Sequence, residues 1–196
     1  TELGNLYLIE VERGCNWDCR FCLVSNAFRP MRYRSIDALI TQAKLGLKYR
    51  KRLGLVGPFV SDHPQIEELL VQLRQMGAEL SISSLRVKPL SRIVLREIAK
   101  GGARTIALAP EAGSQHLRQV IKKDISEDDI LESMDKVADQ GIKQLKLYFM
   151  IGLPSETDED IEAIANLALR GKNIIDRQRS GCRLSLNIAP FVPKAG

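Results

Sequence analysis

The sequence has no apolar run near the roughly 20 residues that a bilayer-spanning helix requires, and its N-terminus lacks the basic, apolar and small-residue pattern of a signal peptide. Cysteine is also scarce, with four residues in 196. So few cysteines argue against the disulfide framework of a small secreted protein. No low-complexity tract or linker interrupts the chain. We therefore expect a protein of the cytoplasm with no part in a membrane.

The composition permits one globular domain with its own core, since 44% of the residues are hydrophobic and 27% are charged. The formal net charge is +5. A positive charge of this size is compatible with an acidic protein partner, with RNA or with an anionic small molecule as substrate, and it does not choose among them.

Apolar segments with strand character alternate with amphipathic helical patterns along the whole chain. The predicted strands cover residues 5–12, 53–57, 79–84, 105–109, 143–151 and 182–189. This alternation predicts an α/β fold with parallel strands joined by right-handed crossovers. Because a closed barrel of eight units typically needs about 250 residues, six units predict an open, incomplete (β/α)6 TIM-like barrel, with a doubly wound sheet as the alternative.

Three of the four cysteines lie in one stretch of eight residues, with three and then two residues between Cys15, Cys19 and Cys22. Thiolates are soft ligands that select iron–sulfur clusters, zinc or copper(I). A 4Fe–4S cluster held by only three of them keeps one iron free for another ligand. The first predicted strand leads into this loop, which places it at the sheet edge where α/β enzymes carry their chemistry.

Two other metal sites are compatible with the same loop. One is a structural zinc site completed by Cys182, His63 or His116, and the other is a closed electron-transfer cluster, which needs a fourth ligand. Cys182 begins the sixth predicted strand and should lie at the opposite face, roughly 20 Å from the loop. No second short Cys/His motif of the kind that zinc sites pair is present.

The CxxxCxxC loop after a first strand, in a chain of six strand–helix units, resembles the radical S-adenosylmethionine (radical SAM) superfamily. The resemblance covers essentially the whole chain, residues 1–196, and implies a radical SAM catalytic core. It implies that Cys15, Cys19 and Cys22 ligate three irons of a 4Fe–4S cluster, while S-adenosyl-L-methionine (SAM) chelates the fourth through its amine and carboxylate. It also implies reductive cleavage of SAM to a 5'-deoxyadenosyl radical that abstracts a substrate hydrogen.

The resemblance assigns cofactor contacts at the ends of later strands. Glu111, after the fourth strand, matches the family position that binds the ribose hydroxyls, and Lys123, twelve residues later, matches the one that meets the methionyl carboxylate. The alternative is a helix-start acid and a solvated lysine. Phe21 and Gly152 match positions whose backbone lies near the adenine, although Phe21 also suits a core aromatic and Gly152 a strand-to-helix turn.

Two further strand ends carry weaker candidates. Ser84 and Arg86 follow the third strand, where polar groups face the cofactor or the substrate, and Arg86 is equally compatible with a surface charge. Asn187 and Phe191, near the end of the sixth strand, are candidates for the adenine wall.

The segment after the second strand departs from the family pattern. The family often has a Gly-Gly-Glu turn there that binds the methionyl amine, whereas residues 57–63 read Gly-Pro-Phe-Val-Ser-Asp-His. Ser61 or Asp62 is the candidate substitute. His63 is interpreted as the start of a helix, with a proton donor as the alternative.

Several features bear on the subclass. The basic stretch at residues 29–34 is compatible with contacts to RNA phosphate, to a second cofactor or to a neighbouring domain, or with a solvated loop. This stretch and the turns that begin at Pro110 and Gly152 look most like members with a cobalamin-binding domain, and methylthiotransferase-like members come second. A non-catalytic zinc or redox module is the other alternative.

The absence of an initial Met and the apolar stretch that follows lead us to expect a core excised from a longer protein. We also expect a low-potential electron donor, such as an acidic flavodoxin or ferredoxin, to approach the basic surface.

Overall fold

The computed structural model describes residues 4–82 and 85–194. The strands are β1 (Tyr7–Glu10), β2 (Glu12–Arg13), β3 (Arg32–Tyr33), β4 (Arg52–Val56), β5 (Glu79–Ile82), β6 (Thr105–Glu111), β7 (Gln144–Ile151) and β8 (Arg183–Pro190). The helices are α1 (Leu23–Ala27), α2 (Ile36–Gly46), α3 (Ile66–Gln75), α4 (Arg92–Lys100), α5 (Gln115–Val120), α6 (Glu127–Asp139) and α7 (Asp158–Arg177), with a 3₁₀ helix at Val60–Asp62.

Six of the strands form two parallel sheets, in the orders β1-β4-β5 and β6-β7-β8. In each sheet, each strand pairs with the parallel strand that precedes it in the chain. The spatial order of the strands therefore follows their order in the sequence without reversing. The described residues show no ladder between β5 and β6, and a cavity of about 460 Å³ lies between these two strands. The predicted α/β class with parallel strands is confirmed.

The core lies between the sheets and the helices that cover their outer faces. Leu53 and Leu55 of β4 and Leu80 of β5 belong to the same buried cluster as Leu69 and Leu73 of α3, and all five are almost fully buried. Burial of apolar surface at about 25 cal/mol per Å² drives this packing. Among the described residues, no helix is long and apolar enough to cross a membrane.

Serine and threonine side chains fix where several helices begin. Ser91 caps α4 and Ser114 caps α5, each accepting a backbone N–H from the first turn. Ser126 and Thr157 form reciprocal capping boxes with Asp129 and Asp160 at the starts of α6 and α7. Such caps satisfy backbone donors that have no partner within the helix.

The first predicted strand, residues 5–12, is split in the structure. Val11 donates its N–H to Val56 O at 2.9 Å and its carbonyl accepts Arg34 N–H at 3.0 Å, so the chain changes partners at this residue. Beyond it, β2 pairs antiparallel with β3. This hairpin brings the basic stretch beside the cysteine loop, a contact between distant residues that local periodicity does not predict.

Candidate functional site

The cysteine loop begins at Gly14 and ends in α1. Gly14 has φ +85°, and a Cβ there would collide with the carbonyl of Phe28, so the loop depends on glycine at this turn. At the far end, Cys22 donates its N–H to Cys19 O at 3.1 Å, and the Ser25 hydroxyl donates to Cys22 O at 2.7 Å. The loop is thus held in a compact turn by its own backbone and by the Ser25 side chain.

The three thiols of the loop are free and interact with one another. Cys15 and Cys19 are buried and Cys22 is half-buried. Burial raises the pKa of both Cys15 and Cys19, and the nearby Cys22 adds to each rise. Within residues 4–82 and 85–194, no three Cys, His, Asp or Glu side chains converge where one metal ion would fit. The thiols are therefore spread apart rather than gathered around a single point.

Two cations lie beside these thiols and favour their deprotonated form. The ammonium of Lys123 opposes the rise of the Cys19 pKa, and the guanidinium of Arg86 opposes that of Cys15. Cys19 and Lys123 line the same small cavity, together with Phe59. Thiolate is the form that binds metal, so the charge pattern suits a thiolate ligand set.

Glu111 and Lys123 are brought together, as expected from their positions at the two ends of α5. Lys123 Nζ lies 3.3 Å from Glu111 Oε1, and the two side chains are only 12% and 16% exposed. Burial raises the pKa of Glu111, and the charge of Lys123 opposes that rise. Glu111 also has φ +70°, a left-handed conformation that is unusual outside glycine.

Arg86 belongs to a buried cluster rather than to the surface, so its interpretation as a surface charge is wrong. Its guanidinium lies 3.3 Å from the centroid of the Trp17 ring, and its Nη1 is 3.1 Å from Asp62 Oδ2. The indole N–H of Trp17 donates to the same oxygen at 3.1 Å. Trp17 lies between Cys15 and Cys19 in the sequence, so its contacts with Arg86 and Asp62 anchor the cysteine loop to this buried cluster.

Two buried carboxylate oxygens in the described part of the chain accept no hydrogen bond: Oε2 of Glu12 and Oδ1 of Asp62. The other oxygen of Glu12 accepts the Phe59 N–H at 2.5 Å. Burial, reinforced by the charge of Asp62, raises the pKa of Glu12 to about 7. Glu12 is not among the predicted site residues, although an acid at the end of an apolar strand is the signal that could have found it.

An apolar cluster fastens the loop to the second sheet. Phe21 and Phe191 pack against a small buried group. That group consists of Ala112, Leu117, Ile121 and Leu153. Phe21 is therefore a partly buried aromatic of this small cluster, its place near the adenine stays a prediction, and the same packing brings Phe191 beside the loop.

The remaining candidates are Ser84, Gly152 and Asn187. Ser84 lies outside the described residues. Gly152 has φ +81° and donates its N–H to the Glu156 carboxylate, which fits a strand-to-helix turn. Asn187 lies in the middle of β8, opposite Tyr148 in the parallel register, with its side chain exposed.

The three residues proposed as the fourth ligand of a zinc site, His63, His116 and Cys182, have other partners or lie elsewhere in the structure. Both ring nitrogens of His63 are engaged, because Nδ1 accepts Gln65 N–H at 3.1 Å and Nε2 then donates to Arg34 O at 2.8 Å. His116 is exposed on α5. Cys182 is buried in the main core next to the N-terminal end of β8, whereas the loop follows the C-terminal end of β1.

The residues present fit a three-thiolate cluster with SAM as the remaining ligand. The donor set consists of three soft sulfur atoms with cations beside them. A buried Lys suits a carboxylate, and a buried Glu suits paired hydroxyls. The unpartnered oxygens of Glu12 and Asp62 leave acceptors for a cationic group.

Comparison with known proteins agrees with this arrangement. The family model of the radical SAM superfamily, whose enzymes use a 4Fe–4S cluster and SAM, matches residues 9–168. An uncharacterised protein of Methanocaldococcus jannaschii is 40% identical over 193 residues, which are 97% of this chain and 41% of that protein. The threonylcarbamoyladenosine tRNA methylthiotransferase MtaB of Aquifex aeolicus is 24% identical, over 79% of this chain and 40% of that protein.

Solved structures share the fold at low sequence identity. The radical SAM methyltransferase TsrM of Kitasatospora setae, with tryptophan and a SAM analogue bound, superposes with a TM-score of 0.71 at 16% identity, covering 86% of this chain and 34% of that one. The cobalamin-dependent radical SAM enzyme OxsB gives 0.65 at 14% identity, covering 89% and 30%. The chain spans about two-fifths of the length of the curated relatives it matches. Because the family model matches residues 9–168, most of this chain, the chain belongs to the radical SAM superfamily.

Proposed function

We propose that this chain is the catalytic core of a radical SAM enzyme, folded as an open, incomplete (β/α)6 barrel, in which Cys15, Cys19 and Cys22 hold a 4Fe–4S cluster. The observation that carries the proposal is a loop with three free thiols, one of which, Cys19, lines the same small cavity as Lys123 of the buried Glu111–Lys123 pair. The barrel is supported by the strand order, because a doubly wound sheet reverses direction around its first strand and neither sheet here does so.

The bound cluster would supply the electron that cleaves SAM to a 5'-deoxyadenosyl radical. Lys123 binds the methionyl carboxylate and Glu111 binds the ribose hydroxyls. Without SAM, the two side chains neutralise each other at 3.3 Å, so neither buried charge is left unpaired. When SAM binds, each exchanges this contact for a hydrogen-bonding partner on the ligand. The site is therefore preorganised for a ligand that carries both a carboxylate and a diol.

Asp62 takes the role of the missing Gly-Gly-Glu acid, with Glu12 beside it. Both carboxylates have a buried oxygen that accepts no hydrogen bond from the described residues. An ammonium group would satisfy acceptors of this kind. Ser61 is less suited, since its hydroxyl already accepts the Arg86 N–H at 3.1 Å. We assign the methionyl amine to this acidic pair.

Anaerobic reconstitution with iron and sulfide tests the proposal. We expect about four irons per chain, an EPR spectrum of the reduced cluster that changes when SAM is added, and formation of 5'-deoxyadenosine. Replacing Cys15, Cys19 or Cys22 with Ala should abolish that product, because each substitution removes a cluster ligand.

Cys182→Ala is the matched control, because Cys182 is buried like Cys15 and Cys19 but lies in the main core. It should retain iron content and 5'-deoxyadenosine formation. Stoichiometric zinc with no cleavage of SAM would instead support the non-catalytic module.

For the whole protein, we propose cobalamin-dependent methyl transfer, with methylthiotransferase-like chemistry as the second candidate. The superposition on TsrM and OxsB supports the first, and the similarity to MtaB supports the second. The full-length protein distinguishes them, since bound cobalamin is visible in its absorption spectrum. A second cluster would instead raise the iron content to about eight per chain.

A further inference from the structure

Arg118 is a fully buried cation, and within residues 4–82 and 85–194 its side-chain hydrogen bonds go to neutral oxygens. Nη1 donates to Ala112 O at 3.0 Å and to Gly113 O at 2.8 Å, and Nε donates to Ile125 O at 3.1 Å. Nη2 donates to Gln115 Oε1 at 3.0 Å. Burial lowers its pKa. A charge buried at this cost has to be compensated by these bonds, and a guanidinium offers five N–H donors in a fixed geometry.

The backbone carbonyls that accept hydrogen bonds from Arg118 lie at the two ends of the segment that contains α5, residues 111–125. Ala112 and Gly113 follow Glu111 directly, and Ile125 lies two residues beyond Lys123. The carbonyl of Arg118 also accepts the Lys123 N–H at 2.7 Å. One side chain therefore connects the backbone on either side of the Glu111–Lys123 pair.

The local chain does not hold this geometry by itself. Helix α5 has six residues, and isolated helices shorter than about 12 residues are marginal in water. Glu111 has φ +70° and Lys122 has φ +54°, a left-handed conformation that is unfavourable for a residue other than glycine. Strained positions of this kind persist where the surroundings over-determine them. The bonds of Arg118 are buried contacts that join both ends of this segment and can therefore do so.

We infer that Arg118 is a positioning residue that fixes the separation and orientation of Glu111 and Lys123, and through them the affinity for a ligand bearing a carboxylate and a ribose diol. The inference rests on the proposed function for the identity of that ligand. Arg118 itself is fully buried, and its guanidinium bonds to the protein rather than facing the site surface. Arg118 therefore affects ligand binding only by changing the positions of Glu111 and Lys123.

A double-mutant cycle on the cluster-loaded, full-length protein tests this route. SAM affinity is measured by calorimetry for the wild type, Arg118→Lys, Glu111→Gln and the double variant Arg118→Lys/Glu111→Gln. Lysine keeps the charge but cannot bridge both ends of the segment. We expect Arg118→Lys to weaken binding about tenfold in the wild-type background and less than about twofold in the Glu111→Gln background, because residues that act through one another are non-additive.

Arg177→Met, at an exposed arginine in the last turn of α7, is the control and should bind SAM as the wild type does. If Arg118→Lys does not fold, Arg118→Gln replaces it in the cycle, since an amide still reaches one carbonyl. Equal weakening in both backgrounds, or unchanged affinity with the cluster intact, overturns the positioning role. Failure of the wild type to bind SAM overturns the proposed function instead, so the two failures are distinguishable.

Discussion

At the residue scale, Glu12 gives the sharpest test of how the site is built without its ligands. Its pKa is raised from 4.5 to about 7 by burial and by Asp62. Between these two values the unfolded chain releases a proton that the folded protein keeps. The free energy of unfolding therefore falls as the pH rises through this window and levels off above pH 7. Below pH 4.5 both states are protonated and the effect is absent.

Glu12→Gln removes this titration, so the stability of the variant relative to the wild type should increase from pH 5 to about pH 7 and then level off toward pH 8. Urea unfolding of the cluster-free protein at several pH values measures the difference. Glu10→Gln is the control, because hydrogen bonds from Arg13 and Arg34 lower the pKa of Glu10 and move its window below pH 4.5. Its stability relative to the wild type should stay constant from pH 5 to pH 8. A constant difference for Glu12→Gln as well would contradict the burial of an ionisable Glu12.

The sequence was sufficient for residues whose role depends on spacing along the chain. The spacing of the cysteines after a periodic strand predicts the loop, and the resemblance to the radical SAM family singles out Glu111 and Lys123, whose roles in binding SAM stay predictions. Arg118 and the cluster of Trp17, Asp62 and Arg86 were not predicted as such, since their burial depends on contacts between segments far apart in sequence. Short-range patterns do not carry that information.

At the scale of elements, the contact between α7 and the end of β6 depends on Gly113. A Cβ at Gly113 would collide with the backbone of α7 at Ala163 and Ile164, which cannot move alone. Gly113→Ala should therefore push α7 away from the segment that carries Glu111. We expect a loss of about 2 kcal/mol, within the usual range for overpacking.

Gly171→Ala is the matched comparison. A Cβ at Gly171, inside α7, would meet the terminal atoms of Met134, a flexible side chain that can adopt another rotamer. Alanine also favours the helix by up to about 1 kcal/mol over glycine, so we expect a net change within about 1 kcal/mol. Chemical denaturation of both variants measures the contrast. Equal losses would mean that the backbone contact at Gly113 is not what limits the approach of α7.

Elements were predicted where one face of a regular segment is buried. The six parallel strands and the helices between them follow from apolar periodicity. The β2–β3 hairpin and α1 were missed because each is very short and is held by contacts with the cysteine loop and the end of β1 rather than by its own pattern. The change of partners at Val11 is the physical origin of the hairpin.

At the scale of the whole molecule, the cysteine loop joins the two sheets. The loop follows β1 of the first sheet. It also forms hydrogen bonds with the end of α5, the helix that follows β6 of the second sheet. Arg20 donates its N–H to Ile121 O at 3.0 Å and its Nη1 to Val120 O at 2.9 Å, and Lys122 Nζ lies 2.6 Å from Asp18. Because the described residues show no ladder between β5 and β6, these bonds and the Phe21 cluster hold the two halves together at the site.

The same loop carries the exposed positive charge that an electron donor would meet. Arg20, Arg32 and Lys122 are exposed around it, in a chain of net charge +5. We expect the rate of cluster reduction by an acidic flavodoxin to fall about tenfold between 20 and 200 mM salt, because screening weakens the attraction between opposite surfaces. Arg32→Gln should lower that rate at low salt, whereas Arg177→Gln, at the end of α7, should leave it unchanged. Stopped-flow absorbance measures the rates, with a small chemical reductant as the reference. A flavodoxin rate that is independent of salt would mean that the donor does not approach through this basic surface.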